Sequence, residues 1–451
     1  MRLARILLIT ALTCLGTAGP ASAAVVRVTS LSALQTALNG AAPGDRIELA
    51  DGVYTASSAL TIKKSGTSGA PITVTAASTG KAEIKGSTGF AFAAGVHDVV
   101  LQGFSLRHGG SLSVPSDAHH VRITRNSVQL TSGGNWLTVN GNDVELDRNT
   151  FQNRSSEGVF LQISGPGDEI AKRTRIHHNY FYNHTFSGSN GGESIRLGYS
   201  HKQTKSAYAV IEHNLFERAN GDLEAISVKS SDNTVRYNTI RDSKGYIVLR
   251  HGHRNLVDGN VLFGSGIRFH GNDHKVINNY VANTGGRAIV FGSGSEADSG
   301  PTSTGHDRPD RVTVAFNTLL GSGAVVDSDG GAFAPKDCVL ADNIVQGSSS
   351  KLIDIVSGAT VRYEGNIVWG GTAGIPSGYR SVDPQLVASN GVHRLAAGSP
   401  AIDTAAGSYP YVTTDFDPHP RSGKLDVGAD EFGGTVVRKP LTKADVGPAA
   451  P

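Results

Sequence analysis

A short phrase, apolar-x-apolar-x-x-Asn-x-apolar, recurs ten times, with its asparagine at Asn126, Asn149, Asn179, Asn214, Asn238, Asn260, Asn279, Asn317, Asn343 and Asn366. The successive intervals run 23, 30, 35, 24, 22, 19, 38, 26 and 23. The shorter ones, 19 to 26, set the length of one coil, and 30, 35 and 38 mark three insertions. That period is too long for a hexapeptide solenoid, and the leucine pattern of horseshoe repeats is missing. The repeat predicts an all-β fold, a right-handed single-stranded parallel β-helix with about three short strands per coil. Inward Val, Ile, Leu and Phe would stack in columns, and the asparagines at the bends would bond their neighbours above and below. They are therefore read as structural, and the 56 glycines are expected to serve the turns where φ is positive.

A solenoid needs covers at its ends, because an open coil exposes unpaired backbone and apolar side chains. Residues 30–39 predict a short amphipathic capping helix, with Leu31, Leu34, Ala37 and Leu38 on one face and Gly40 as its stop, inside an N-terminal cap region at 24–60. From Ser381 the chain turns Pro- and Asp-rich, with SPAID at 399–403, DFDPHPR at 415–421 and DVGADE at 426–431. An irregular C-terminal cap over 381–432 is expected, its aspartates serving turns and caps in preference to calcium. Residues 433–451 are expected to form a flexible tail.

Residues 1–23 hold Arg2 and Arg5, an apolar run from Ile6 to Leu15, and Ala21-Ser22-Ala23. This is the pattern of an export signal, and the run is too short to span a bilayer. A soluble secreted protein is expected, with neither membrane nor nucleic acid as partner, acting as a monomer. Removing that segment leaves positions 24–451, in which Cys338 is the single cysteine, so no intramolecular disulfide can form. It also lowers Lys+Arg from 41 to 39, equal to Asp+Glu at 39. Charge is nevertheless uneven: from Lys229 to Arg287 nine Lys/Arg face four Asp/Glu, together with His251, His253, His270 and His274. Such a strip focuses an acidic ligand without a basic whole.

Segments 189–200, 221–231 and 246–254 converge on one face. Alternation puts Asp222 and Glu224 on one side of a strand, about 7 Å apart, close enough to share a cation. Lys229 has the opposite parity, so a bend must intervene before it can join them. Its offset from Arg250 is 21 against a local repeat of 22, which predicts that the two side chains nearly superpose on adjacent coils. Hard oxygen ligands suit Ca²⁺, and Asn190, in the insertion one coil earlier, is the third candidate, with Glu193 beside it as the alternative. The four histidines lack the HExxH spacing of a zinc site. Arg196 and Arg287 read as outer contacts to an anionic chain, and Tyr199 and Tyr246 as ring contacts or packing.

The run GDLEAISVKSSDNTVRYNTIRDSKGYIVLRHGHR, followed by GIRFHGNDHKVINNY, resembles the core of polysaccharide lyase family six, which holds alginate lyases and chondroitinase B. The likeness extends over roughly 25 to 431. It implies Lys229 as general base and Arg250 as general acid, with Ca²⁺ on Asn190, Asp222 and Glu224. His251 and Arg268 would then hold substrate, and His270 is read beside them as a further polar neighbour of an anionic sugar. One departure is Asp222-Leu223-Glu224 where the family usually has Glu-x-Glu. The implied reaction is β-elimination on a 4-linked acidic polysaccharide, with alginate the first choice and dermatan sulfate the second. A glycoside hydrolase would instead use paired carboxylates, and a non-catalytic glycan-binding solenoid would have no need of Lys229.

Overall fold

The computed structural model describes residues 23–298, 300 and 302–451, so the expected export signal lies, Ala23 apart, outside the described residues. The chain winds into a parallel β-helix with three faces, two sheets of 14 strands and one of 10, in which each strand pairs with the strand one full coil later. Parallel crossovers of this kind are right-handed. The 10-stranded face carries the central segments singled out above.

Side-chain alternation fills the interior. Ile195, Ile226, Ile247, Ile267 and Ile289 stand in register on successive coils of the 10-stranded face, all fully buried. Each such side chain contributes about 1.5–3 kcal/mol of burial. A second column is aromatic, with the rings of Phe181 and Phe216 stacked at 4.7 Å. The helix Leu31–Gly40 closes the first coil. Ser30 caps it, its hydroxyl accepting from Ala33 N, and Leu34 and Leu38 point into the core.

All ten repeat asparagines are fully buried in one ladder. From Asn126 to Asn343, each donates its backbone N–H at 2.9–3.1 Å to the side-chain oxygen of the next, which also accepts its side-chain amide. The residue before each asparagine lies in the left-handed region, and only Gly259 and Gly365 of these ten are glycine. The others are Arg125, Arg148, His178, His213, Tyr237, Asn278, Phe316 and Asp342. Glycine is therefore not what makes these bends. Left-handed backbone costs a side-chain-bearing residue about 1–3 kcal/mol and persists where surrounding bonds over-determine it. The ladder supplies those bonds. A second, shorter ladder runs Asn233, Asn255, His274, with Nδ1 of His274 accepting from Asn255 N at 3.0 Å.

At the C-terminal end, Leu386–Ser389 and Val392–Leu395 form an antiparallel hairpin. Asp415 accepts from the backbone of Asp417 and His419, while Arg394 and Arg421 are buried against Asp430 and Glu431. Residues 433–451, expected as a flexible tail, are instead laid back along the solenoid. Leu441 N donates to Thr239, Gly447 N to the carbonyl of His178, and Arg125 and Arg148 bond the carbonyls of Pro448 and Pro451. Val446 is buried with Tyr180 and Leu215. Composition marked this segment as loose because its few apolar side chains gain partners only from coils far upstream in the chain.

Asn238→Ala removes three side-chain donations, to Ile211 O, Arg236 O and Asn260, and strands the groups of Asn214. At about 1–3 kcal/mol for each buried group left unpaired, the expected loss is at least ~3 kcal/mol, read as a lower urea midpoint.

Candidate active site

Three strands of the 10-stranded face set the geometry: Ile195–Gly198, Glu224–Lys229 and Tyr246–His251. Arg196 lies opposite Ser227, and Gly198 opposite Lys229. Between the second and third strands the register shifts twice. Glu224 pairs with Tyr246 and Ile226 with Ile247, leaving Ala225 as an extra residue. That bulge is the bend the sequence required, because it restores Lys229 to the side of the sheet that Glu224 faces. The second shift pairs Val228 with Leu249 and Lys229 with His251, so Arg250 is the extra residue. The expected superposition of Lys229 on Arg250 is thus replaced by an offset, since the bulge pushes Arg250 sideways.

In that position Arg250 binds Glu224. Glu224 Oε2 is buried with no hydrogen-bond partner among the described residues. Asp222, also buried, accepts from Gly192 N at 3.4 Å, and its carboxyl is raised above its usual range by burial and then by the charges of Glu193 and Glu224. Glu193 is buried and doubly bonded by Arg196, at 2.8 and 2.5 Å. Against the upward push of burial, Arg196 holds the Glu193 carboxyl below its usual value. Of the two candidates in this insertion, Glu193 enters the acidic cluster, while Asn190 is exposed.

Lys229 stands over these carboxylates with its side chain only 12% exposed and its amine 4.0 Å from Glu193 Oε1. Its pKa is lowered by burial, then by Arg196 and Arg250, against the opposing pull of Glu193 and Glu224. The shift is in the direction of the uncharged amine that a proton acceptor needs.

The wall beyond Arg250 is made of imidazoles. His251 donates from Nδ1 to Gly305 O at 3.0 Å and meets the Ser200 hydroxyl through Nε2 at 3.1 Å, so both its nitrogens are engaged. The ring of His306 packs on His251 and His270, with centroids at 4.8 and 4.7 Å. Burial holds His251 at about 3 and His306 at about 4, helped by nearby Lys229 and Arg250, and His270 is pushed down the same way. All three are neutral at ordinary pH. Gly292 makes room for this wall, since a Cβ there would sit 2.3 Å from Cε1 of His270. His253 and His274 point elsewhere, each accepting a backbone N–H at Nδ1. Arg268 pairs with Asp329 at 2.8 Å, and Arg287 with Asp327 at 2.9 Å and also with Asp329. These two arginines share the face but carry their own counter-charges. Tyr246 lies opposite Glu224 on the next strand.

Elsewhere, Glu145, Asp147 and His177 form the one group among the described residues whose acid and histidine ligand atoms all fall within 4.8 Å. It belongs to a 14-stranded face. Arg122 grips Asp147 through two nitrogens at 2.8 and 2.7 Å, Arg148 adds a third contact, and His177 bonds Glu145 at 2.8 Å. Its charges are answered internally, as in an ion-pair network. The set around Asp222 differs in having an acid with a raised pKa and a carboxylate oxygen without a hydrogen-bond partner among the described residues.

The chondroitinase B profile matches residues 28–293, more than half of the chain. The chain belongs to the chondroitinase B family, polysaccharide lyase family six. Two structures of the family-six alginate lyase AlyGC superpose with TM-scores of 0.75 and 0.72 at 24% identity, each over 82% of this chain and 55% of that one. The chain therefore spans about half the length of AlyGC. A mannuronic acid specific family-six lyase from human gut microbiota gives 0.72 at 25% identity, covering 80% of this chain and 91% of that one. A family-six polysaccharide lyase from Pseudopedobacter saltans gives 0.68 at 20%, covering 94% and 99%. No curated protein matches the sequence.

The fold brings together four residues singled out in the sequence, Lys229, Arg250, Asp222 and Glu224, and adds His306, which the sequence pattern did not mark. The signal was the interval between Asn279 and Asn317, the longest insertion, which folds back over the histidines. Arg196→Gln should raise the Lys229 pKa, because it deletes a neighbouring positive charge and frees Glu193. The pH dependence of Lys229 acetylation, followed by mass spectrometry, would move to higher pH; an unmoved profile would show that Arg196 does not tune the amine.

Proposed function

We propose that the chain is a polysaccharide lyase cleaving a 4-linked uronate polymer by β-elimination, with alginate the favoured substrate. The observation that carries the reading is the Lys229 amine, mostly buried, its pKa lowered by burial and by Arg196 and Arg250, and held beside a carboxylate cluster on the outward side of the 10-stranded face. The proton on C5 of a uronate lies α to its carboxylate. Neutral Lys229 accepts that proton, the electron pair forms the C4=C5 double bond, and the C4–O4 bond breaks. The departing oxygen takes a proton from water. Arg250 is unsuited to donate it, because guanidinium scarcely releases protons. Bound to Glu224, it is instead placed to stabilise negative charge on the leaving oxygen.

Asp222 and Glu224, with Glu193 or the exposed Asn190 as third ligand, would hold the cation, for which Ca²⁺ is the first choice. Bound there, it would neutralise the uronate carboxylate and stabilise the charge that develops on proton removal. The shorter Asp222 draws that position back by one methylene relative to the usual Glu. His251, His270, Arg268 and Arg287 lie along the same face and are assigned to substrate contact and its support. Support for alginate comes from the structural relatives, which include alginate lyases, one in complex with a trisaccharide. The family's own description, chondroitinase B, keeps dermatan sulfate as the second substrate. Export through residues 1–23 belongs to the same proposal, since a polymer-degrading enzyme meets its substrate outside the cell.

Lys229→Ala is expected to lower turnover by ~10²–10⁴-fold with an unchanged thermal midpoint. Ultraviolet absorbance of an unsaturated product from poly-mannuronate, poly-guluronate or dermatan sulfate reads the reaction, and reducing ends without that absorbance would point to hydrolysis. Chelation should slow wild type and Ca²⁺ restore it, whereas Asp222→Asn should weaken Ca²⁺ binding in calorimetry. Activity indifferent to both treatments would return the acids to a structural role.

A further inference from the structure

A trench lies on a different face from Lys229. Strands Thr318–Gly321, Ile344–Gly347 and Asn366–Trp369 stack in register, so that Leu320, Gln346 and Trp369 form one outward row and Gly321 and Gly347 stand beside it. Gly370 continues the glycine row. No side chain can fill the floor: a Cβ on Gly347 would lie 2.4 Å from Gly321 O, and one on Gly370 2.3 Å from Gly347 O. The C-terminal hairpin and the turn before it form the far wall, through Asp383, Gln385 and His393. The trench has a volume of about 550 Å³. It runs on, past Leu320 and Gly321, into a hollow of about 410 Å³ beside Thr284. Both volumes fall in the range of small-ligand sites.

Three observations identify the ligand chemistry. Trp369 is 37% exposed on the trench wall, offering a flat apolar surface for the C–H face of a sugar ring. Gln346 Oε1 beside it is buried and has no hydrogen-bond partner among the described residues, an acceptor short of a donor. None of the residues lining either hollow is lysine or arginine, and Asp383 adds an acid. A polyuronate finds no counter-charge here. Neutral hydroxyls find acceptors in Gln346 and Asp383.

We propose that this trench binds a neutral glycan, with a pyranose ring on Trp369 and its hydroxyls on Gln346 and Asp383, as a second carbohydrate site that tethers the protein to uncharged polymer. The chain has two tryptophans, and Trp136 is only 1% exposed, so acrylamide quenching reports Trp369. Wild type would be titrated with cellohexaose, mannohexaose and laminarihexaose, and with trimannuronate as the anionic control. At least one neutral hexasaccharide should lower the quenching constant twofold or more, saturably, while trimannuronate leaves it unchanged. Trp369→Ala and Gln346→Ala should each weaken calorimetric binding tenfold or more, and Trp369→Phe should retain most of it. Turnover of soluble polyuronate should be unchanged in all three, which separates this site from the lyase reading. The proposal is overturned if no neutral hexasaccharide protects Trp369 at millimolar concentration, if trimannuronate protects it equally, or if binding survives Trp369→Ala intact.

Discussion

The asparagine ladder is the constraint from which the rest of the molecule follows. Ten fully buried amides, joined edge to edge, hold ten consecutive bends in a left-handed conformation that eight of the residues there would otherwise avoid. Fixed bends fix the register of the strands leaving them, and register decides which side chains become neighbours on the outer surface. Side chains far apart in sequence then stand about 4.8 Å apart across the stack. The chemistry on the 10-stranded face uses this spacing, and the two register shifts flanking Lys229 are local departures from it.

Charges on that face are matched almost one to one. Arg196 answers Glu193, Arg250 answers Glu224, and Arg268 and Arg287 answer Asp329 and Asp327. Two groups are left less well matched. Lys229 has an acid only at 4.0 Å, and Asp222 faces two other acids. The mismatch is local, since a buried amine pushed toward neutrality and a carboxyl pushed toward protonation sit on the same patch. Groups in such states cluster where proton transfer and ion binding are carried out.

Much of this was legible in the chain because the fold is periodic. The spacing of the asparagines marked the coil, and the parity clash between Glu224 and Lys229 required a bend, which Ala225 supplies. What periodicity cannot give is anything set by a departure from it. The second bulge, which turns Arg250 toward Glu224, has no sequence mark beyond a repeat that falls one position short. His306 comes from an insertion, whose path is settled by packing against His251 and His270. Asn190 and Glu193 lie close together in one loop, and only the packing of Arg196 decides which of them is buried.

Solenoids ordinarily behave as strings of nearest neighbours, in which each coil feels only the two beside it and the ends fray first. Residues 433–451 break that independence, since one ribbon touches the coils carrying Arg125, Arg148, His178, Leu215 and Thr239. Losing any one of those coils loosens the ribbon's hold on the others. A quasi-one-dimensional array is thereby given long-range coupling, so its melting is drawn toward a single concerted event, and the charged cluster set across its middle coils shares the fate of the whole.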